Sequence, residues 1–103
     1  MTIDVSGLRQ GEYLKYYYNG ELATKGFYKD DNLNGGYLQY YSSGVLALKC
    51  FYKHSKLEGE YLQYSTDGIL ESRCFYSKGK EVSEEEYKII LIYHNLKRLK
   101  KII

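Results

Sequence analysis

The sequence predicts a mainly β fold: an antiparallel meander sheet of three 24-residue β-hairpin repeats, with a C-terminal α-helix packed on it. Three observations predict it. Gly11 to Val82 carries one pattern three times, as GEYLKYYYNGELATKGFYKDDNLN, GGYLQYYSSGVLALKCFYKHSKLE and GEYLQYSTDGILESRCFYSKGKEV. A turn dipeptide, Asn19-Gly20, Ser43-Gly44 or Asp67-Gly68, falls at the same phase of each copy. After Val82 the period stops and a helical spacing of apolar residues begins. A fixed period of this length means stacked supersecondary units that bury apolar surface against their neighbours, so it outranks local propensity.

The elements follow in order within one domain, 1–103. Residues 2–10 make an opening strand and link: TIDVS aligns with the end of a repeat, and Ile3 stands one period before Phe27. Gly11 to Tyr18 alternates as a strand does. Asn19-Gly20 reads as a two-residue hairpin turn with both residues at positive φ, and Leu22 to Lys29 is the return strand. Asp30 to Asn34 and His54 to Glu58 are short polar links between hairpins. The expected product has about six strands plus the opening one.

From that turn, Tyr17 faces Leu22, Lys15 faces Thr24 and Tyr13 faces Gly26, while Tyr37 faces Cys50 and Tyr61 faces Cys74. A ring opposite a small residue is a favourable cross-strand fit. Face one then carries Tyr13, Tyr17, Leu22, Tyr28, Tyr37, Tyr41, Leu46, Leu48, Cys50, Tyr52, Tyr61, Leu70, Cys74 and Tyr76. Face two carries Leu14, Tyr16, Ala23, Lys25, Phe27 and their equivalents. Face one has fewer charges and is taken as the core side. A bulge at a turn would swap side chains between faces.

Ser83-Glu84-Glu85-Glu86 is a capping-box pattern that opens a helix from Glu84 to about Lys101, within the segment 83–103. Acidic residues stand at its positive end, and Lys97, Arg98, Lys100 and Lys101 stand at its negative end. Ile89, Ile92, Leu96, Leu99 and Ile103 recur at steps of three and four as one apolar stripe, expected to cover a sheet face or the open end of the array.

Composition bounds the function. The 103 residues carry 14 Tyr, 3 Phe and no Trp, an aromatic content suited to strands and contact surfaces. A net charge of +2 is too balanced for a phosphate-coated partner, so nucleic acid is disfavoured. There is no 18-residue apolar run, and the start lacks an apolar signal-peptide region. Cys50 and Cys74 fall on second-neighbour strands about 9–10 Å apart, too far for a disulfide. Two free, buried thiols agree with a cytoplasmic setting. His54 and His94 have no partner at ligand spacing, and no phosphate loop or nucleophile motif is present. The sequence thus points to no catalytic residue, metal or cofactor.

GEYLKYYYNGEL, followed by FYK and a second glycine-tyrosine start, resembles the MORN repeat in the divergent variant common in small bacterial and phage proteins. The standard repeat has a tryptophan and further glycines that this chain lacks. The lipid-binding and membrane-junction roles of better-known members are therefore not what the resemblance implies. Some bacterial families with this variant are described as antitoxins or immunity-like proteins, which implies an inhibitor.

The resulting expectation is a non-catalytic module that binds one protein partner, a toxin or effector, as a small inhibitor. The residues expected to carry binding are Tyr16, Tyr40 and Tyr64 with Lys25, Lys49 and Arg73 on face two, and Lys97, Arg98 and Lys101 on the helix. Tyrosine beside lysine or arginine is a frequent contact-surface composition. The alternatives are a structural MORN scaffold making weak contact with a membrane surface, and a self-assembling homodimer using edge strands and the helix stripe.

Overall fold

Each hairpin pairs a strand beginning near a repeat's first glycine with the apolar run that follows its turn. The computed structural model describes residues 2–3 and 5–102, with residues 100–102 described by their backbone alone. Asp4 of the expected opening strand, Ile103 of the apolar stripe and the side chains of Lys100 and Lys101 lie outside the described residues. The strands are β1 (Thr2–Ile3), β2 (Arg9–Tyr16), β3 (Leu22–Lys29), β4 (Asn32–Leu33), β5 (Gly35–Tyr40), β6 (Leu46–Lys53), β7 (Lys56–Leu57), β8 (Gly59–Tyr64), β9 (Leu70–Ser77) and β10 (Lys80–Val82). One helix, α1 (Glu84–Ile102), follows. The main path of the sheet runs β1-β2-β3-β5-β6-β8-β9-β10, antiparallel throughout, with β4 paired to β3 and β7 to β6. The meander and its C-terminal helix are as the sequence predicts. The three extra short strands arise where the links fold back on the preceding return strand.

The pairing at mid-strand follows the period. Tyr13 faces Gly26, Lys15 faces Thr24, Tyr37 faces Cys50 and Tyr61 faces Cys74. Near the turns the predicted register is off by one. Leu22 faces Tyr16 rather than Tyr17, because a bulge places one extra residue on β3 between Thr24 and Leu22. The same bulge recurs opposite Gln39 and Gln63. Opposed residues share a face, so Leu22, Leu46 and Leu70 join Tyr16, Tyr40 and Tyr64 on face two, correcting their assignment to face one.

The turn chemistry is also reassigned. Gly20, Gly44 and Gly68 have positive φ, but Asn19, Ser43 and Asp67 do not. Tyr17 N–H donates to Glu21 O at 2.9 Å, and Gly20 N–H donates to Tyr17 O at 3.0 Å. This is a three-residue loop closed by a glycine in the left-handed region, the bulged hairpin form. Two consecutive positive φ values fall instead in the links, at Asp30-Asp31, His54-Ser55 and Lys78-Gly79. Those pairs are the two-residue turns, and they lead into β4, β7 and β10.

Each two-residue turn is tied to a side chain 20 residues earlier by a bond repeated along the array. Gln10 Oε1 accepts from Asp30 N–H, Asn34 Oδ1 from His54 N–H, and Glu58 Oε1 from Lys78 N–H. At the other end, Tyr17 Oη donates to Tyr40 O at 2.6 Å and Tyr41 Oη to Tyr64 O at 2.7 Å.

The core lies along face one. Cys50 is 1% exposed, and Thr24 and Gly26 are buried in the first repeat, while Ala23, the extra residue of the β3 bulge, is the buried residue assigned to face two. Tyr13 and Tyr28 meet edge to face at 5.9 Å, Tyr37 and Tyr52 at 5.4 Å, and Tyr61 meets Tyr76 at 5.5 Å. Such pairs stabilise by roughly 0.5–1.5 kcal/mol beyond the area they bury.

Ser83 caps the helix: its hydroxyl accepts from Glu86 N–H at 3.1 Å. Tyr87 stacks on Phe75 at 5.6 Å, and Glu84 reaches Arg73 at 3.8 Å, so the first turns of α1 sit on face two at the last hairpin. The apolar stripe does not make this contact. Ile89, Ile92, Leu96 and Leu99 keep 54–65% of their surface exposed. With 3.6 residues per turn they stand roughly 120–200° around the axis from Tyr87, which turns them away from the sheet. The expectation that the stripe covers the array is thereby corrected.

Candidate binding face

Face two is built by alternation. The register Leu14↔Lys25, Lys25↔Leu38, Leu38↔Lys49, Lys49↔Leu62 and Leu62↔Arg73 lays one row across the sheet in which leucines and basic residues alternate. A second row holds Glu12 opposite Phe27, Gly36 opposite Phe51 and Glu60 opposite Phe75. The outer repeats pair their basic residues with these acids. Lys25 Nζ lies 3.5 Å from Glu12, and Arg73 Nε lies 2.7 Å from Glu60. Both basic groups also lie over rings, Lys25 at 6.0 Å from Phe27 and Arg73 at 5.0 Å from Phe75. Glycine replaces the acid in the middle repeat, and Lys49 has no acidic partner among the described residues.

The three repeats differ in cover. The helix closes face two over the third through Tyr87 and Glu84. Burial first, and then the neighbouring Glu58 carboxylate, push the Tyr87 phenol above its ordinary value. Over the first two repeats, Phe27 and Phe51 remain substantially exposed. Between them lies a cleft of about 180 Å³ with Leu38 and Gly36 in its lining and Lys25 and Lys49 at its sides.

The predicted tyrosine row runs near the hairpin turns. Tyr16 is exposed, and Tyr40 and Tyr64 are half-buried. Tyr16 and Tyr40 line a groove of about 530 Å³ between the first and second repeats. Tyr64 lines the equivalent groove, about 460 Å³, one repeat on. Both grooves are lined chiefly from face one, by Lys15, Thr24, Gln39, Leu48 and Gln63, whereas strand alternation places the tyrosine side chains on face two with the basic row. The helix residues stand apart. Lys97 lies over the Tyr93 ring at 4.6 Å, and Arg98 is exposed. Both are about 20 Å along the helix axis from Glu84 at 1.5 Å per residue. The Lys101 side chain lies outside the described residues.

Two features were not read from the sequence. His54 and His94, treated as isolated, converge with Lys53, Lys56 and Lys78 on a cleft of about 420 Å³ beside the helix. Only the placement of the helix could bring them together. The gap at Gly36 was visible as GGY standing where the other copies read GEY, but its meaning depends on the register opposite Phe51.

Cys50 and Cys74 are free thiols, and burial pushes Cys50 up to about 11, away from thiolate reactivity. Among the described residues there is no cluster of three or more His, Cys, Asp or Glu that could hold a metal ion. Among the same residues no helix is long and apolar enough to cross a membrane.

The profile of the MORN repeat variant matches three consecutive stretches, residues 9–30, 33–54 and 57–78, more than half of the chain. The chain belongs to the MORN repeat variant family. MORN repeats are in general non-enzymatic modules for protein or membrane interaction, and the matched stretches are the hairpins that build the face described above. The helix lies outside the matched stretches. No curated protein and no solved structure matches the chain significantly.

Proposed function

We propose that this MORN repeat chain is a non-catalytic protein-binding module, and specifically a small intracellular inhibitor. It occludes one protein partner, a toxin or nuclease, through face two of its sheet. The observation that carries the reading is the uncovered aromatic and basic surface of the first two repeats, where Tyr16, Tyr40, Phe27 and Phe51 stand beside Lys25 and Lys49. Exposed rings at low entropy cost, with cations beside them, are what contact hot spots are made of. The two free thiols agree with an intracellular setting.

The test is capture by the tagged chain from lysate of its own cell, followed by titration of the purified pair. A parallel sample carries Tyr16→Ala, Tyr40→Ala and Tyr64→Ala together, with circular dichroism to establish that it folds. The expected result is one dominant protein at saturable stoichiometry, inhibited when bound and lost from the triple variant. Equal retention by both samples moves the site off the tyrosine row. Absence of any saturable protein partner overturns the reading.

A second reading rests on the helix. Ile89, Ile92, Leu96 and Leu99 are exposed at the 3-4-3 spacing of a coiled-coil seam. Self-association through this seam predicts a dimer in sedimentation that Ile92→Lys with Leu96→Lys converts to a monomer. Salt-sensitive binding of the monomer to anionic vesicles would instead assign the seam and Lys97 and Arg98 to a membrane surface.

A further inference from the structure

The repeats act as controls for one another. Positions 12, 36 and 60 are equivalent, and so are positions 25, 49 and 73. In the first and third repeats an acid on the outgoing strand neutralises the basic residue of the return strand: Glu12 with Lys25 at 3.5 Å, and Glu60 with Arg73 at 2.7 Å. In the second repeat the acid is Gly36, and Lys49 keeps its charge exposed and unpaired among the described residues. The missing side chain leaves space. The 180 Å³ cleft at Gly36 has Phe27, Leu38 and Phe51 as an apolar lining and Lys25 and Lys49 as flanking cations.

Nothing in the backbone demands a glycine here. Gly36, unlike the adjacent Gly35 at φ 112°, lies outside the positive-φ region. A Cβ at Gly36 would meet its nearest neighbour, Phe51 Cε1, at 3.9 Å, an ordinary contact. Glutamate would fit where it stands in the other two repeats. The gap is therefore a recess with an uncompensated cation beside an apolar floor.

We propose that the recess at Gly36 receives an acidic side chain, glutamate or aspartate, that a protein partner carries beside an apolar residue. The partner's carboxylate takes the place that Glu12 and Glu60 hold in the outer repeats and pairs with Lys49, while its apolar neighbour rests on Phe27 and Phe51. This inference rests on the reading of face two as a protein-binding surface and gives that surface its chemical preference. Charge complementarity chooses the occupant: in both outer repeats the equivalent cation is already held by a carboxylate.

The probe is a pair of capped tripeptides, N-acetyl-Leu-Glu-Leu-amide and N-acetyl-Leu-Gln-Leu-amide, titrated into the ¹⁵N-labelled chain. The expected result is amide shift changes centred on Gly36, Lys49 and Phe51, with the glutamate peptide binding about fivefold tighter, the most that one exposed ion pair supplies. Gly36→Glu, which closes the recess from within, should abolish the difference while keeping the fold. Lys49→Gln should abolish it without filling the space, and serves should the first variant fail to fold. Equal binding of both peptides, or shifts centred elsewhere, overturns the proposal. So does a captured partner that needs Tyr16, Tyr40 and Tyr64 but binds Gly36→Glu unchanged, and that outcome leaves the reading of face two intact.

Discussion

The two faces of the sheet are made from the same strands, yet they use their aromatic rings differently. On face one, rings pair along the array, Tyr13 with Tyr28, Tyr37 with Tyr52 and Tyr61 with Tyr76, and they enclose Cys50. On face two, Phe27 and Phe51 stand open beside lysines, and among the described residues only Phe75 has a covering ring, Tyr87. A sheet one layer thick has no second sheet to pack against, so edge-to-face tyrosines close one side themselves. Ring-on-ring packing is thus concentrated on face one, while Phe27 and Phe51 of face two keep about two fifths of their surface exposed.

Truncation on face one should break this arrangement most severely. Tyr37→Ala removes the partner of Tyr52 and the ring lying over Gly26, whose added Cβ would sit 3.0 Å from Tyr37 Cδ2. The expected loss is about 2–4 kcal/mol in chemical denaturation. A loss below about 1 kcal/mol would mean that face one is not the core side. Cys50→Ser is next. At 1% exposure the new hydroxyl loses its water, and the expected cost is about 1–3 kcal/mol.

Titration sharpens the same contrast. Burial raises Cys50 to about 11, and burial first, then Cys50, raises Tyr52 and Tyr61. These acids are neutral when protonated, and the fold favours the protonated form. The stability that Cys50 contributes is fully present below the ordinary thiol value of 9.0 and is lost as pH rises through about 11, and that of Tyr52 and Tyr61 is lost above the ordinary phenol value of 10.0. Thermal unfolding measured from pH 7 to 11 should show a falling midpoint above about pH 9. Cys50→Ala should flatten part of that fall and leave the tyrosine part. A midpoint independent of pH in this window would contradict a closed face one.

Period carried most of the fold into the sequence. Equivalent residues had to occupy equivalent places, so Tyr13 opposite Gly26 and Tyr37 opposite Cys50 could be read from spacing alone. The turns could not. Asn19-Gly20 has the composition of a two-residue turn, but the chain spends that glycine in a three-residue loop and puts its two-residue turns at Asp30-Asp31, His54-Ser55 and Lys78-Gly79. Neither His54 nor Lys78 advertises a positive φ. In that conformation each donates its N–H to a side-chain acceptor 20 positions earlier, Asn34 and Glu58. The helix was legible through Ser83 and the acidic first turn, but its orientation was set by Tyr87, which lies outside the Ile/Leu stripe. On the candidate site, the alternation of Leu and Lys or Arg was legible by residue type. The isolation of Lys49 required the register that sets Gly36 opposite Phe51.

The smallest expected effect tests the open side of the comparison. Lys49→Gln removes a cation that no acid holds among the described residues, so stability should change by no more than about 0.5 kcal/mol. Arg73→Gln is its internal reference. Arg73 donates to Glu60 at 2.7 Å, stands over Phe75 at 5.0 Å and lies 3.8 Å from Glu84 of the helix. Two of these contacts lie within the third hairpin and one reaches the helix, so its removal should cost more than that of Lys49, and the difference should shrink as salt screens the exposed pairs. Urea denaturation of both variants at low and high salt measures it. Equal losses at low salt would place Lys49 in a structural network like that of Arg73, and the middle repeat would then have no free cation to offer a partner. A neutral Lys49→Gln that nevertheless weakens binding of the glutamate peptide would separate the two faces cleanly, with one change felt only in recognition.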